Sequence, residues 1–311
     1  MLTLYSYPNL FGVADNNPFG LKVYAFLKLC GLAFRHEHIF DASKAPRGQL
    51  PYLVDGDTTV GDSDTIISHL ISRHNLTIDK ALTPSQHNTD LLIRRMLDDL
   101  YWVMSYSRWK DDRFWPPFRD AILRTHPDVT AESLETAREY NFKRYHFQGI
   151  GRYEPAAAYA RGVADLRVLA NLLPGSGFLF GAEPTSTDGG IYGFTVNIYF
   201  YEIDTPLREF LVSQSNLVLH CQSVQGNRRQ DRSRSARAAD WRGWRCAVRG
   251  LMRWRRPSAE HKANTIGRRV SRRGRTQMLL RPDRCGNYPR HMCGRYAAFC
   301  PLKPLRASSA R

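Results

Sequence analysis

Two short segments of this chain combine residue types that could hold an anionic ligand. In Gly48-Gln49-Leu50-Pro51-Tyr52-Leu53 a proline stands at the start of a short apolar strand. Its missing N–H is tolerated there, and a cis bond at such a point often shapes a ligand-facing turn. Further along, Asp62 and Ser63 are good capping residues at the start of an amphipathic helix. Because a helix N-terminus attracts anions, the sequence predicts a turn and an anion site in this region.

The elements before these segments predict a strand–helix–strand unit. Residues 2–6 are expected to form a strand, and residues 33–40 a second one. Between them Asn17-Pro18 begins a helix that runs to Gly31, with a capping residue followed by proline at the first helical position. A crossover helix of this kind implies that the two strands pair in parallel.

A hairpin and a helix complete this first unit. Residues 51–54 and 58–60 flank Asp55-Gly56-Asp57, which is a hairpin signal. A helix over residues 62–74 follows. The resulting order of elements is the thioredoxin-like arrangement, so the sequence predicts an α/β fold for its first part.

From Pro84 onward the apolar residues are spaced as in helices. Thr185 and Asp188 form a variant of the capping box, which marks the start of a helix. The predicted helices are a long one marked by Leu91 to Met104, then Ala131–Tyr145, Pro155–Leu173, one that begins at Thr185, and a last one at Pro206–Val218.

These motifs resemble the glutathione transferase superfamily, most closely its metaxin-like and failed-axon-connections-like branch. The resemblance covers about residues 1–222. It implies a thioredoxin-like N-terminal domain over residues 1–78 and an all-α C-terminal domain over residues 79–224.

The resemblance also implies a set of glutathione contacts. The backbone of Leu50 beside Pro51 would pair with the cysteinyl part of the tripeptide. Asp62 and Ser63 would hold its γ-glutamyl end, and Lys44 or Arg47 could reach its glycine carboxylate. The alternative is that Pro51 keeps the fold and Asp62 is an ordinary helix cap.

Asn17 stands where thioredoxin-like proteins place the reactive residue, at the start of the first helix, where the helix dipole stabilises a thiolate. Asn17-Pro18-Phe19-Gly20 has neither cysteine nor serine, so thiol–disulfide exchange is not expected. The Asn17 amide can still donate a hydrogen bond to sulfur, and Tyr5, Ser6 and Tyr7 are other candidate donors. The alternative is that Asn17 only caps the helix.

An aromatic set on the long helix is a second candidate feature. It comprises Tyr101, Trp102, Tyr106 and Trp109, of which positions 102, 106 and 109 share a face. The resemblance implies that this helix borders the cleft for an apolar co-substrate; the alternative is a core between helices. His36 and His38 could share a strand face, but no third ligand is evident, so no metal site is expected.

Two functions from different classes remain open. One is an enzyme that conjugates glutathione, as substrate rather than cofactor, to an apolar electrophile. The other is a non-catalytic metaxin-like binding or adaptor module. The resemblance leaves a homodimer open. The start of the chain reads as a strand rather than a leader, no run is long enough to span a bilayer, and a cytoplasmic location is expected.

The charge distribution separates the last part of the chain from the rest. Residues 225–311 hold 24 basic and four acidic side chains, whereas residues 1–224 hold 21 basic and 25 acidic ones. Four of the six cysteines also lie in this Arg-rich tail. It could neutralise phosphates and stack bases as nucleic-acid binders do. We favour instead a frameshifted or read-through segment that is disordered because it cannot bury a core.

Overall fold

The structure is a computed structural model that describes residues 1–227. The interpretations of the Arg-rich tail as disordered, frameshifted or nucleic-acid-binding concern residues that, from Arg228 onward, lie outside the described ones.

The first part of the chain folds around a sheet of four strands. The strands lie in the order β2-β1-β3-β4. β1 pairs with β2 in parallel, whereas the β1–β3 and β3–β4 pairs are antiparallel. The strands are β1 (Leu2–Ser6), β2 (Phe34–His38), β3 (Tyr52–Asp55) and β4 (Thr58–Gly61), and the helices are α1 (Pro18–Leu29) after β1 and α2 (Ser63–Arg73) after β4. This is the predicted thioredoxin-like order.

Helices form the rest of the described chain, as predicted. They are α3 (Pro84–Trp109), α4 (Trp115–Thr125), α5 (Ala131–Gln148), α6 (Pro155–Leu172), α7 (Ser186–Tyr199), α8 (Pro206–Ser213) and α9 (Ser215–Asn227), with a short 3₁₀ turn at Ile150–Arg152. The capping box of α7 is confirmed, because the Thr185 N–H and hydroxyl both donate to Asp188 Oδ2 at 2.8 Å. Within residues 1–227 no helix is long and apolar enough to cross a membrane.

The helical part differs from the sequence prediction at two places. Helix α4 was not predicted; it begins with Trp115 followed by two prolines and has no side-chain cap. The single last helix predicted over Pro206–Val218 is broken at Gln214, where the backbone is extended. The Asn216 amide just beyond the break donates to the carbonyls of Ala170 and Leu173, and α9 then continues to Asn227. These tertiary contacts leave no local sequence signal.

Helix α7 lies at the centre of the fold and packs against α1. Every residue of α7 from Thr187 to Ile198 is buried. Gly193 permits the closest approach of the two helices, because a Cβ atom there would lie 2.6 Å from the backbone nitrogen of Lys22 and 2.7 Å from the carbonyl oxygen of Pro18. The position of α7 therefore fixes the N-terminal turn of α1.

Candidate functional site

The candidate site lies at one edge of the sheet. Register pairs Tyr5 with Tyr52 and Tyr52 with Gly61, so β1 and β4 end, and β3 begins, at the same edge. The loop to α1 leaves from this edge, and Asp62 connects β4 directly to α2. The first turns of α1 and α2 therefore both follow from this edge, so each helix begins there with the positive end of its dipole.

In the turn before β3, the backbone of Leu50 has no backbone hydrogen-bond partner among the described residues. The Leu50–Pro51 bond is cis, as predicted. Leu50 is buried and lies just outside the strand. An extended peptide could therefore pair with it, although the predicted role of Leu50 and Pro51 in binding remains a prediction.

The start of α2 combines a cap with an exposed carboxylate. Asp62 has a positive φ of 75°, and its Oδ1 accepts from the N–H of Thr65 at 3.1 Å. Its Oδ2 pairs with the exposed Arg47 guanidinium at 3.2 Å. Ser63 is buried, and its hydroxyl forms no hydrogen bond among residues 1–227. Lys44 is exposed on the loop before β3. These are the residues predicted to hold the two ends of glutathione.

Asn17 caps α1 with one side of its amide. Its Oδ1 accepts from the Phe19 N–H at 3.0 Å, and its own backbone N–H donates to Asp15 Oδ1 at 2.7 Å. The Asn17 Nδ2 group donates no hydrogen bond within the described part of the chain. Asn17 can therefore cap the helix and still donate outward, so the two roles considered for it are compatible.

A buried polar network that the sequence analysis missed holds this loop. Arg108 of α3 donates from Nη1 to the Asn16 carbonyl at 2.6 Å and from Nη2 to the Asn197 carbonyl at 3.2 Å. The Asn197 amide in turn donates to the Asp15 carbonyl at 2.9 Å. The available signal was an arginine within an otherwise uncharged stretch of α3, residues 100–109, but its partners lie far away in sequence.

The Asp15 carboxyl is fully buried below α1. Burial raises its pKa well above the usual range, against the opposing effects of the Asn17 backbone N–H and the Arg108 charge. A Cβ atom at Gly20 would lie 1.6 Å from Asp15 Oδ2, so a larger residue there would displace the Asp15 carboxyl group. Asp15 is therefore a support for the loop and not a group exposed to ligand.

A cavity of about 460 Å³ opens beside the start of α1. Tyr7, Asn16, Asn17 and Pro18 form one wall, and α3, α4 and α5 form the others. Burial raises the pKa of Tyr7 to about 12, so its hydroxyl keeps its proton at neutral pH and can donate. Both candidate donors, Asn17 and Tyr7, therefore line the same space.

The face of α3 toward the cavity differs from the one considered in the sequence. It consists of Tyr101, Met104, Ser105, Arg108 and Trp109. Trp102 and Tyr106 do not line this cavity. Tyr106 is 2% exposed among Tyr145 and Tyr159, and the Trp102 ring lies beneath the Arg144 guanidinium. Of the four aromatic residues predicted to border the cleft, Tyr101 and Trp109 thus line the cavity, whereas Trp102 and Tyr106 pack in the helical core.

His36 and His38 lie side by side on β2, with ring centroids 4.3 Å apart. His36 Nε2 is 2.7 Å from Ser6 Oγ, and His38 Nε2 is 3.0 Å from the Ala14 carbonyl. Among residues 1–227 no three histidine, cysteine or acidic side chains are grouped so that they could hold a metal ion.

Family models and a sequence relative of this chain all belong to the glutathione S-transferases. Residues 18–114 match the glutathione S-transferase N-terminal domain, and residues 162–224 match the glutathione S-transferase C-terminal domain. The chain is 32% identical over 203 residues to an isoprene-epoxide–glutathione S-transferase of Rhodococcus sp. (strain AD45), covering 62% of this chain and 84% of that protein.

A second relative comes from the failed-axon-connections-like branch named in the sequence comparison of motifs above. The chain is 26% identical over 241 residues to Failed axon connections of Drosophila melanogaster, covering 71% of this chain and 56% of that protein. This chain thus spans just over half the length of that relative.

Solved structures share the fold. A beta-etherase from Sphingobium sp. superposes with a TM-score of 0.53 at 16% identity, covering 75% of this chain and 99% of that one. A glutathione transferase from Phanerochaete chrysosporium gives 0.50 at 15% identity, covering 73% and 96%.

Proposed function

Because the chain belongs to the glutathione transferase superfamily, we propose that it binds glutathione at the sheet edge and conjugates it to an electrophile in the adjoining cavity. One observation carries this proposal: the cavity opens onto Asn17 and Tyr7 at the start of α1. A sulfur atom held there would face both the hydrogen-bond donors and the co-substrate.

The tripeptide would lie along the edge formed by the cis-proline turn and the start of α2. The Leu50 main chain pairs with its cysteinyl unit, because that backbone is free to do so. The Ser63 hydroxyl and the free N–H groups of α2 take the γ-glutamyl carboxylate, while Asp62 takes the ammonium group. Arg47 or Lys44 takes the glycine carboxylate.

The chemical step requires a thiolate. The positive end of α1, the Asn17 Nδ2 group and the Tyr7 hydroxyl stabilise it, which lowers the pKa of the bound thiol. Neither side chain is a base, so the thiol proton leaves to solvent. A sulfur lone pair then forms a C–S bond to the electrophilic carbon, and the bond from that carbon to its leaving group breaks. With an epoxide, the C–O bond opens and the oxygen takes a proton.

The electrophile class follows from the cavity and from one relative. Apolar and aromatic side chains form much of the wall, among them Leu10, Phe40, Met104, Trp109 and Leu134. The Rhodococcus relative is named for an isoprene epoxide. A small apolar electrophile therefore fits this site.

The proposal also includes a homodimer. Sedimentation of the full chain tests this oligomeric state.

Isothermal titration of the full chain with glutathione tests the binding. Asp62→Asn, which retains a helix cap, and Ser63→Ala should each weaken binding by roughly 1–3 kcal/mol because each removes a hydrogen bond to a charged group. Ser68→Ala, at an exposed position of the same helix, should change nothing. Unaltered affinity in both site variants would place the ligand elsewhere, and absence of conjugation with chlorodinitrobenzene, with its carboxylate analogue and with a small epoxide would contradict the proposed transferase activity.

The second candidate is a non-catalytic adaptor module. The start of α1 has neither cysteine nor serine, and the chain also resembles Failed axon connections. Under this alternative the chain shows no conjugation at any pH and the Asn17 and Tyr7 variants change no rate. The conjugation assay therefore distinguishes the two functions.

A further inference from the structure

The cavity contains an imbalance of charge that the proposed reaction does not use. Apart from tyrosines, its ionisable lining residues are Arg108, His126, Asp128 and Arg144. Asp128 is exposed at the rim, whereas Arg108 is 6% exposed and Arg144 is half-buried. The inner wall therefore presents two guanidinium groups and no ionised carboxylate.

These two arginines differ from the others in the described part of the chain. Nine arginines of residues 1–227 have a carboxylate within 4.0 Å, among them Arg138 on the same helix as Arg144. The remaining arginines in this range are exposed, except for Arg108 and Arg144. Buried charges are normally paired, so an unpaired one on a cavity wall indicates a missing anionic partner.

Of the two, Arg144 has the free donors. Arg108 uses both terminal nitrogens on Asn16 and Asn197. Arg144 donates from Nη1 to Asn141 Oδ1 at 2.9 Å and interacts with the Tyr101 hydroxyl. A guanidinium has five N–H groups, so these two partners leave donors for a ligand.

The surroundings of Arg144 hold its guanidinium in place. Its centre lies 5.1 Å from the Trp102 ring and 5.8 Å from the Tyr140 ring. Stacking on aromatic faces orients the planar group without neutralising it. A planar, singly charged carboxylate matches the free side of such a group.

We propose that the electrophile taken by this protein carries a carboxylate on an apolar or aromatic body, and that Arg144 binds this carboxylate as a specificity-determining residue. This inference rests on the proposed function, since it names the substrate class of the same cavity. The apolar body contacts Trp109 and Leu134, and Arg108 adds favourable charge behind it. The reacting carbon then faces the sulfur held at Asn17.

The first test measures binding without turnover. Isothermal titration of the full chain compares naphthalene carboxylate with naphthalene carboxamide, which differ in charge but hardly in shape. The carboxylate should bind roughly tenfold more tightly or better. Arg144→Met should remove the preference, Arg144→Lys should keep part of it, and Arg161→Met, outside the cavity, should keep all of it.

The second test measures turnover with a matched pair. The substrates are para-chloro-meta-nitrobenzoate and its methyl ester; sulfur bonds to the ring carbon and chloride leaves with the electron pair of the C–Cl bond. Each kcat/KM is divided by the rate constant of the uncatalysed reaction with glutathione. The wild-type ratio should favour the acid roughly tenfold, and Arg144→Met should bring it close to one.

The outcomes separate this inference from the proposed function. Equal binding of the acid and the amide, or a preference that persists in Arg144→Met, overturns the inference. So does a loss confined to glutathione binding, because Arg144 would then hold a carboxylate of the tripeptide. A chain that prefers the acid in titration but conjugates neither substrate retains the anion site and loses the proposed transferase activity.

Discussion

At the scale of single residues, Asn17 combines two roles that can be separated by substitution. Its Oδ1 caps α1, and Asn17 lines the cavity with no partner for its Nδ2 group among residues 1–227. Asn17→Ala removes both functions, and should cost about 1 kcal/mol of stability together with part of the conjugation rate. Asn17→Asp keeps the cap but replaces the donor with a negative charge beside the thiolate.

We therefore expect Asn17→Asp to be the more stable variant and the less active one. Thermal unfolding measures the first property, and kcat/KM for chlorodinitrobenzene the second. If Asn17→Ala loses both stability and activity while Asn17→Asp keeps both, Asn17 acts only as a cap. Tyr7→Phe provides the comparison, since it removes a donor without changing any helix cap.

His36 predicts a pH dependence of stability. Burial, with smaller effects from His38 and Lys28, lowers its pKa from 6.5 to about 3. The unfolded chain therefore takes up a proton below pH about 6.5 that the folded chain refuses until about 3. Neutral His36 therefore contributes to the free energy of unfolding above pH 6.5. This contribution is lost on acidification, by up to about 1.4 kcal/mol per pH unit.

His36→Gln, which can still bond to Ser6, should flatten this part of the profile in denaturant unfolding between pH 7 and pH 4. His87→Gln, at an exposed position, should leave the profile as it is in the wild type. A profile for His36→Gln that matches the wild type would show that His36 is protonated in the folded state.

At the scale of elements, the contact of α1 with α7 positions the site. A Cβ atom at Gly193 would meet backbone atoms of Lys22 and Pro18 below 3.0 Å, and backbone cannot move aside as a side-chain tip can. Gly193→Ala should therefore cost roughly 1–3 kcal/mol. It should also lower the conjugation rate, because it displaces the first turn of α1.

Gly190→Ala is the matched control on the same helix. Its nearest neighbour would be Leu97 Cδ1 at 3.8 Å, an ordinary contact. Since glycine within a helix costs roughly 0.5–1 kcal/mol relative to alanine, this variant should be neutral or more stable. Chemical denaturation of both variants measures the difference. Equal destabilisation would show that the close approach at position 193 is not limiting.

The sequence predicted elements whose signals are local. The cap at Asn17, the hairpin at Asp55-Gly56-Asp57 and the capping box at Thr185 each depend on residues a few positions apart. Strand boundaries shifted slightly, since pairing partners decide them. The break at Gln214 depends on contacts of Asn216 with α6, more than 40 positions away, and it could not be read locally.

The candidate site was predictable only in part for the same reason. Helix starts and the cis-proline turn are local features, so the glutathione side could be proposed from sequence. The cavity face of α3 depends on how that helix is rotated against α5, and spacing alone did not distinguish Trp102 from Tyr101. The partners of Arg108 lie 92 and 89 positions away, which no local pattern reveals.

At the scale of the whole molecule, α9 closes the described core. Leu217 and Val224 are fully buried and Cys221 is 2% exposed, so α9 inserts side chains into both the helical core and the core beneath the sheet. The last buried position of the described fold is Val224. Among the described residues, the core contacts thus extend as far as Val224.

A chain that ends at Asn227 should therefore keep the unfolding temperature of the full chain within a few degrees, as well as its affinity for glutathione. A chain that ends at Gln214 loses the burial of Leu217 and Val224, worth roughly 1.5–3 kcal/mol each. That loss is a large share of the roughly 5–15 kcal/mol that keeps a domain folded, so this chain should not unfold cooperatively. Thermal unfolding followed by circular dichroism compares the two with the full chain.

If the chain ending at Asn227 also unfolds, or loses a ligand that the full chain binds, residues 228–311 are part of the functional protein. The interpretation of a frameshifted or read-through tail is then wrong.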